Sequence, residues 1–291
     1  MPSDGYLSLA VGDICIGLRC SDDAVADRMR HAYQPFLSDG LPEYAIELNL
    51  HDYLTATEIS DVLPRLEAHC DGTRFFTNPW LIDCYLDRKA RLIRVETERG
   101  LFEPPASYRL MNHLLRGLYY SVYKWIRHEK PDAYLVHGCG VLSGDGGLLF
   151  TGPSGIGKTT VASLAGDRQV LNDETVLVGR NGSGFHIAGT PFDGGVPTRA
   201  SASERLSAVL LLRQADKVEL KRLRSSDAYR QILAQVLDSS PLFEVSRFKY
   251  IPERADLSAE LAASVPVYEL GFTPDDSFWG VVESIGREFD S

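Results

Sequence analysis

The chain has 291 residues, 44% of them hydrophobic and 24% charged, which is material for one large domain or two ordinary ones. That balance excludes a wholly disordered chain, a collagen-like repeat and a small scaffold that depends on staples. Thirty basic residues against 40 acidic ones leave a net charge of −10, and the most basic stretch, Lys217–Arg224, reads as a strand, so neither nucleic acid nor an anionic membrane is an expected partner.

Taken in chain order, residues 6–18 read as two short strands around a Gly12-Asp13 turn. Ser21-Asp22-Asp23 supplies an N-cap for a helix reaching about Phe36. Tyr44–Leu50 alternates apolar and polar residues like a half-buried strand, and 56–70 reads as a helix with Pro64 in its middle. Trp80–Asp87 and Leu92–Thr97 are expected strands. From Ser107 to His128, apolar residues recur at helical spacing and predict the longest helix of the chain. The Gly/Pro-rich stretch before it suggests a boundary, with an N-terminal α+β module over 1–105 and a second domain over 106–291.

In the second half, Tyr134–Leu142 and Leu148–Thr151 form strands around the turn residues Ser143–Gly147. A glycine-rich loop over 152–159 leads into a short helix ending at Gly166. Gln169–Leu171, Thr175–Val178 and Phe185–Ala188 are expected strands, and Leu206–Leu212 with Val218–Leu223 reads as a further hairpin. A helix over Ser226–Leu237, a strand over Val267–Phe272 and a C-terminal helix complete the pattern. Five cysteines (Cys15, Cys20, Cys70, Cys84 and Cys139) show no CxxC pair and no zinc spacing, which points to free thiols in a reducing compartment. The opening MPSDGYLSLAVGD lacks a basic-then-apolar signal region, and no apolar run approaches the roughly 20 residues of a membrane span. A cytoplasmic protein is expected.

The segment Gly152-Pro153-Ser154-Gly155-Ile156-Gly157-Lys158-Thr159 matches G-x-x-x-x-G-K-[ST] in full. Glycines there let consecutive backbone N–H groups turn toward an anion, and the following helix start, through Thr160, adds further donors. Lys158 can reach the β- and γ-phosphates of a nucleoside triphosphate, and the Thr159 hydroxyl can ligate Mg²⁺. ATP and Mg²⁺ are therefore the expected ligands. The strand before the loop is the second arm of a hairpin, and antiparallel pairing centred near Asp145 sets His137 across from about Pro153. His137 is either a satisfied core histidine or a group that bonds a phosphate or positions the acceptor. Cys139, on the same strand face, reads as core.

Asn172-Asp173-Glu174 closes a short apolar segment that the brief helix returns to the mouth of the loop. Phosphoryl transfer needs a carboxylate to hold Mg²⁺ and often one to accept the hydroxyl proton, so Asp173 and Glu174 are metal candidates and Asp173 is the candidate base. Successive strand residues face opposite sides, so both acids can serve only if the backbone turns there. Gly189–Phe192 and the following Asp193-Gly194-Gly195 form a loop suited to meeting an acceptor, and Arg199 and Arg205 are candidate phosphate clamps.

The order His137-Gly138, Gly152–Thr159, Asn172-Asp173-Glu174 and Gly189–Phe192 resembles the HPr kinase/phosphorylase family, and more closely its shorter relatives that include lasso-peptide precursor kinases. The resemblance covers 134–195, with Ser264–Phe278 similar to the relatives' closing segment. It implies a core likened to phosphoenolpyruvate carboxykinase, while the chain's own pattern gives an α/β protein with an N-terminal α+β module, outside the resemblance, ahead of a mixed, largely antiparallel sheet. It also implies an active centre of His137, Lys158, Thr159 and Asp173, with Glu174 where the family has Asp. The family's downstream acidic residue followed by Val-Arg-Gly is missing, so neither HPr as acceptor nor the reverse reaction is expected. The implied activity is transfer of the ATP γ-phosphoryl group to a serine hydroxyl of a peptide or protein, and a homo-oligomer is compatible with it. A small-molecule kinase and a non-catalytic nucleotide-binding regulatory module are the alternatives.

Overall fold

The computed structural model describes residues 5–65, 67–70, 73–102, 116, 118, 132–144, 146–192, 199–236 and 251–287. These form two compact units, one holding residues 5–102 with Arg116 and Leu118, the other holding 132–236 and 251–287. The boundary expected at 105/106 and most of the helix expected over Ser107–His128 lie outside the described residues. Both units are mixed α/β with mixed sheets.

The first unit is a seven-stranded sheet in the order β1-β2-β3-β7-β6-β5-β4. Here β1 is Leu7–Val11, β2 Ile14–Cys20, β3 Tyr44–His51, β4 Glu67–Cys70, β5 Arg74–Asn78, β6 Ile82–Asp87 and β7 Leu92–Glu98. β2, β3 and β7 run parallel at its centre, and hairpins flank them. The alternation of β3 buries Tyr44, Ile46 and Leu48 on one face. Helix α1 (Asp23–Ala32) starts where Asp22 Oδ1 accepts the Val25 N–H at 2.7 Å, and it buries Val25 and Met29. The helix expected over 56–70 is shorter. Helix α2 (Ala56–Val62) passes into a 3₁₀ turn, Leu63–Arg65, and 67–70 is strand β4. Pro64 lacks the N–H a continuing helix would use.

In the second unit the order is β10-β8-β11-β12-β13-β15-β14, with β9 pairing both β8 and β13. β8 is Ala133–Ser143, β9 Gly146–Thr151, β10 Gln169–Asn172, β11 Thr175–Asn181, β12 Gly184–Ala188, β13 Ser203–Gln214, β14 Glu219–Arg222 and β15 Val267–Phe272. The expected β13–β14 hairpin does not form, because β15 inserts between them, parallel to β13 and antiparallel to β14. Among the described residues, four helices accompany this sheet: α3 (Lys158–Ser163), α4 (Ser225–Gln235), α5 (Ile251–Ser264) and α6 (Phe278–Arg287). Around Phe150, Leu210, Leu270 and Phe272, the sheet packs on Val161 of α3 and on Phe278, Trp279 and Val282 of α6. Trp279 Nε1 donates to Leu164 O at 2.7 Å, tying α6 to the end of α3. The helix that follows the glycine-rich loop is thereby clamped against the sheet.

Candidate functional site

β8 and β9 form the expected antiparallel hairpin, with Gly138 opposite Thr151 and Ser143 opposite Gly146. The register sets His137 level with Gly152, one residue short of the expected Pro153. Thr151 Oγ1 donates to His137 O at 2.7 Å, and on its other edge His137 pairs with Thr175 of β11. His137 therefore stands where β9 delivers the chain into the loop.

Within the loop, Gly152, Gly155 and Gly157 adopt φ of 153°, 78° and 122°. Gly157 needs to be glycine twice over, since a Cβ there would lie 2.5 Å from the Phe272 ring. Lys158 is 5% exposed, and its Nζ donates to Gly152 O at 2.9 Å and Pro153 O at 3.1 Å. Burial pushes its pKa down, opposed by the negative charges of Glu174 and Asp173. Ser154, Gly155 and Thr159 are exposed, while Ile156 and Thr160 are half-buried.

The acidic pair owes its placement to Asn172. Both β10 and β11 pair with the same edge of β8, Asn172 opposite Gly140 and Thr175 opposite His137. Between them the chain turns, because Asn172 Oδ1 accepts the N–H groups of Glu174 (2.8 Å) and Thr175 (3.0 Å). Its Nδ2 donates to Thr190 O (3.0 Å) and Phe192 O (2.8 Å), and Thr190 Oγ1 donates to Thr175 O at 2.6 Å. The alternation that would send one acid away is broken. Asp173 is 1% exposed, and both carboxylates exert their field on Lys158. His137 Nδ1 lies 3.4 Å from Glu174 Oε1.

The structure thus brings together His137, Lys158, Asp173 and Glu174 at the loop. Asn172 and Thr190 organise the site, and an Asn preceding two acids at a strand end is the turn signal in the sequence that points to the first of them. Gly189 closes the arrangement from beside it, where a Cβ would lie 1.9 Å from Ala200 O. Arg199 donates to Pro191 O at 2.7 Å, within this cluster. Arg205 does not reach the site. It sits six positions before Leu211, the partner of Thr151, or roughly 20 Å along β13. Cys139 is buried core, with its thiol pushed up by burial. Asp193-Gly194-Gly195 lies outside the described residues.

No protein-family model matches the chain, and no curated protein matches it. No helix among the described residues is long and apolar enough to cross a membrane.

Proposed function

We propose that the chain is a phosphotransferase that moves the γ-phosphoryl group of ATP to a hydroxyl, a serine of a peptide or protein. One observation carries this reading: a complete phosphate-loop motif whose Lys158 is buried within the fields of Asp173 and Glu174. The reading includes the finer fold, a core of the HPr-kinase and phosphoenolpyruvate-carboxykinase kind. Its support is that the strand before the loop is the second arm of an antiparallel hairpin with β8 while it runs parallel to β13 on its other edge, whereas a dinucleotide-type unit would set it among parallel strands on both sides.

In this reaction the serine oxygen attacks the γ-phosphorus, the bond to the β-phosphate oxygen breaks and ADP leaves. Asp173 takes the hydroxyl proton, and Lys158 neutralises charge on the β- and γ-phosphates. The hydroxyl and carboxylate oxygens of Thr159, Asp173 and Glu174 are the hard donors Mg²⁺ prefers, and those residues would hold it. When bound, Mg²⁺ supplies compensation for charge on the transferring group. His137 Nδ1 bonds the backbone carbonyl of Glu174 at 3.1 Å and lies 3.4 Å from its carboxylate, and so helps set that acid's position.

The test is incubation of the purified protein with γ-labelled ATP and peptides encoded beside its gene, with mass spectrometric mapping of the label. Phosphoserine on a peptide supports the proposal. Label only on a metabolite would move the acceptor to a small molecule, and free phosphate alone would favour a regulatory nucleotide-binding module.

A further inference from the structure

The parallel strands β2, β3 and β7 of the first unit end on one edge of its sheet, at Cys20, His51 and Glu98. The carboxyl ends of parallel strands are a common place for ligands. Three rings stand there. His51 and Tyr53 stack with centroids 5.0 Å apart, and Trp80, from the connection between β5 and β6, lies 5.8 Å from each. We propose that this corner binds the side-chain ammonium of a lysine carried by a peptide or protein partner. The proposal does not depend on the phosphate-loop reading, since every residue in it belongs to the first unit.

Beside the rings lies a carboxylate with one oxygen unserved. Glu98 pairs opposite His51, which turns both side chains to the same face of the sheet. It is 0% exposed, and its Oε2 accepts the N–H groups of Tyr53 at 3.0 Å and Leu54 at 3.1 Å. The carboxylate thus sits at the root of the ring cluster. Its Oε1 is buried too, and among the described residues nothing bonds it. A buried acceptor without a donor is costly, so a charged donor arriving at Oε1 gains more than an ordinary surface contact would. Tyr53 is 71% exposed, so its ring can turn outward at little loss of buried area and admit that donor beneath it. The faces of Trp80 and Tyr53 then flank the cation.

Chemistry selects the ammonium. Asp52, Glu96 and Glu98 stand around the rings, while Arg99 beside them already bonds Asp22 and Asp52. The excess of acid draws a cation. Glu98 has one oxygen left, which suits a single N–H donor better than the paired fork of a guanidinium. His51 Nε2 lies 2.7 Å from Glu96 Oε2, so the nitrogen that a metal ion would use is already engaged.

Two measurements on the full chain, without nucleotide, test the assignment. In the first, fluorescence anisotropy follows fluorescein-labelled hexalysine, and the same peptide with its side chains acetylated, on the wild type, Tyr53→Ala, Glu98→Gln and Leu41→Ala. Hexalysine should bind the wild type roughly tenfold more tightly than the acetylated peptide does, and Tyr53→Ala should weaken it roughly fivefold with no change of charge. Glu98→Gln should weaken it at least as much, while Leu41→Ala, at another exposed side chain, should match the wild type. Equal affinity in the wild type and Tyr53→Ala would mean attraction by net charge alone and overturns the proposal. So does failure of the wild type to bind hexalysine, which leaves the phosphate-loop reading standing. The second needs no substitution: hexalysine carrying one photoactivatable diazirine side chain is cross-linked to the wild type and the attachment mapped. Attachment within His51–Leu54 or at Trp80 is expected, and attachment confined to other segments overturns the proposal even if a variant does not fold.

Discussion

The imidazole Nδ1 of His137 lies 3.1 Å from the carbonyl oxygen of Glu174 and 3.4 Å from the same residue's Oε1. One ring thus ties the acidic turn to β8, the strand that also forms the first arm of the loop hairpin. A histidine in that place acts through the acid it holds. His137→Ala should lower turnover roughly tenfold while ATP affinity stays within twofold, because Lys158 and the loop are untouched. Glu174→Gln should cost about as much. The double variant should lose little beyond either single one, since both remove the same act. Steady-state kinetics beside calorimetry reads this, and losses that simply add would assign the two residues separate roles.

Asp173 is the buried member of the pair. Asp173→Asn keeps the shape and removes the charge, so phosphotransfer should fall by about 10²-fold or more. ATP binding should persist. A variant with near-wild-type transfer would hand the base to Glu174 or dismiss the pair.

Asn172 is fully buried and serves two N–H groups and two carbonyls. In Asn172→Ala those four groups lose their partner at roughly 1 kcal/mol each, so denaturant titration should show a loss of about 3 kcal/mol or more. Asn172→Asp keeps the acceptor but sets a carboxylate against the carbonyls of Thr190 and Phe192, so it too should destabilise. An unaffected Asn172→Asp chain would show that the amide donors contribute little.

In the first unit, the Val25 N–H donated to Asp22 holds that carboxyl below its ordinary 3.8, and the neighbouring Arg99 charge adds to the effect. A lowered folded pKa gives stability that is present above the unfolded value and lost as pH falls through the folded one. Asp22→Ala should therefore cost about 1 kcal/mol at neutral pH, and the gap from wild type should close below pH 3.8. A gap that persists unchanged in acid would mean the capping carboxylate is not its source.

Local signals made much of this legible. The β8–β9 hairpin and its register to within one residue follow from turn chemistry and apolar runs, and the loop is a contiguous motif. What escaped was non-local. β15 enters between β13 and β14 by parallel pairing with a strand more than fifty positions away, and parallel pairing leaves no turn signature. The role of Asn172 depends on the chain returning at Thr190–Phe192, which its own neighbours do not encode. Helix α5 is a different kind of miss. Its buried Leu257 and Leu261 stand four apart and did carry a helical period.

Lys158 carries the last prediction. Its ammonium is buried and held by the carbonyls of Gly152 and Pro153, and burial lowers its pKa from 10.5 despite the nearby acids. The folded chain therefore holds this proton less tightly than the unfolded chain does. Between the folded value and 10.5 the unfolded state binds more protons, so this residue's contribution to stability rises with pH across that window; below it, the cost of the buried charge is fully present. A bound triphosphate adds negative charge beside the ammonium and draws the pKa back up. ATP binding should therefore take up protons in the pH range where the unliganded Lys158 has begun to lose its proton. Calorimetry in two buffers of different ionisation heat measures that uptake. Lys158→Ala should abolish it and weaken ATP binding about ten- to a hundredfold, the equivalent of about 1.5–3 kcal/mol for a charge-assisted hydrogen bond. If the variant keeps both its affinity and its proton uptake, Lys158 does not face the phosphates, and the assignment of the loop to ATP falls with it.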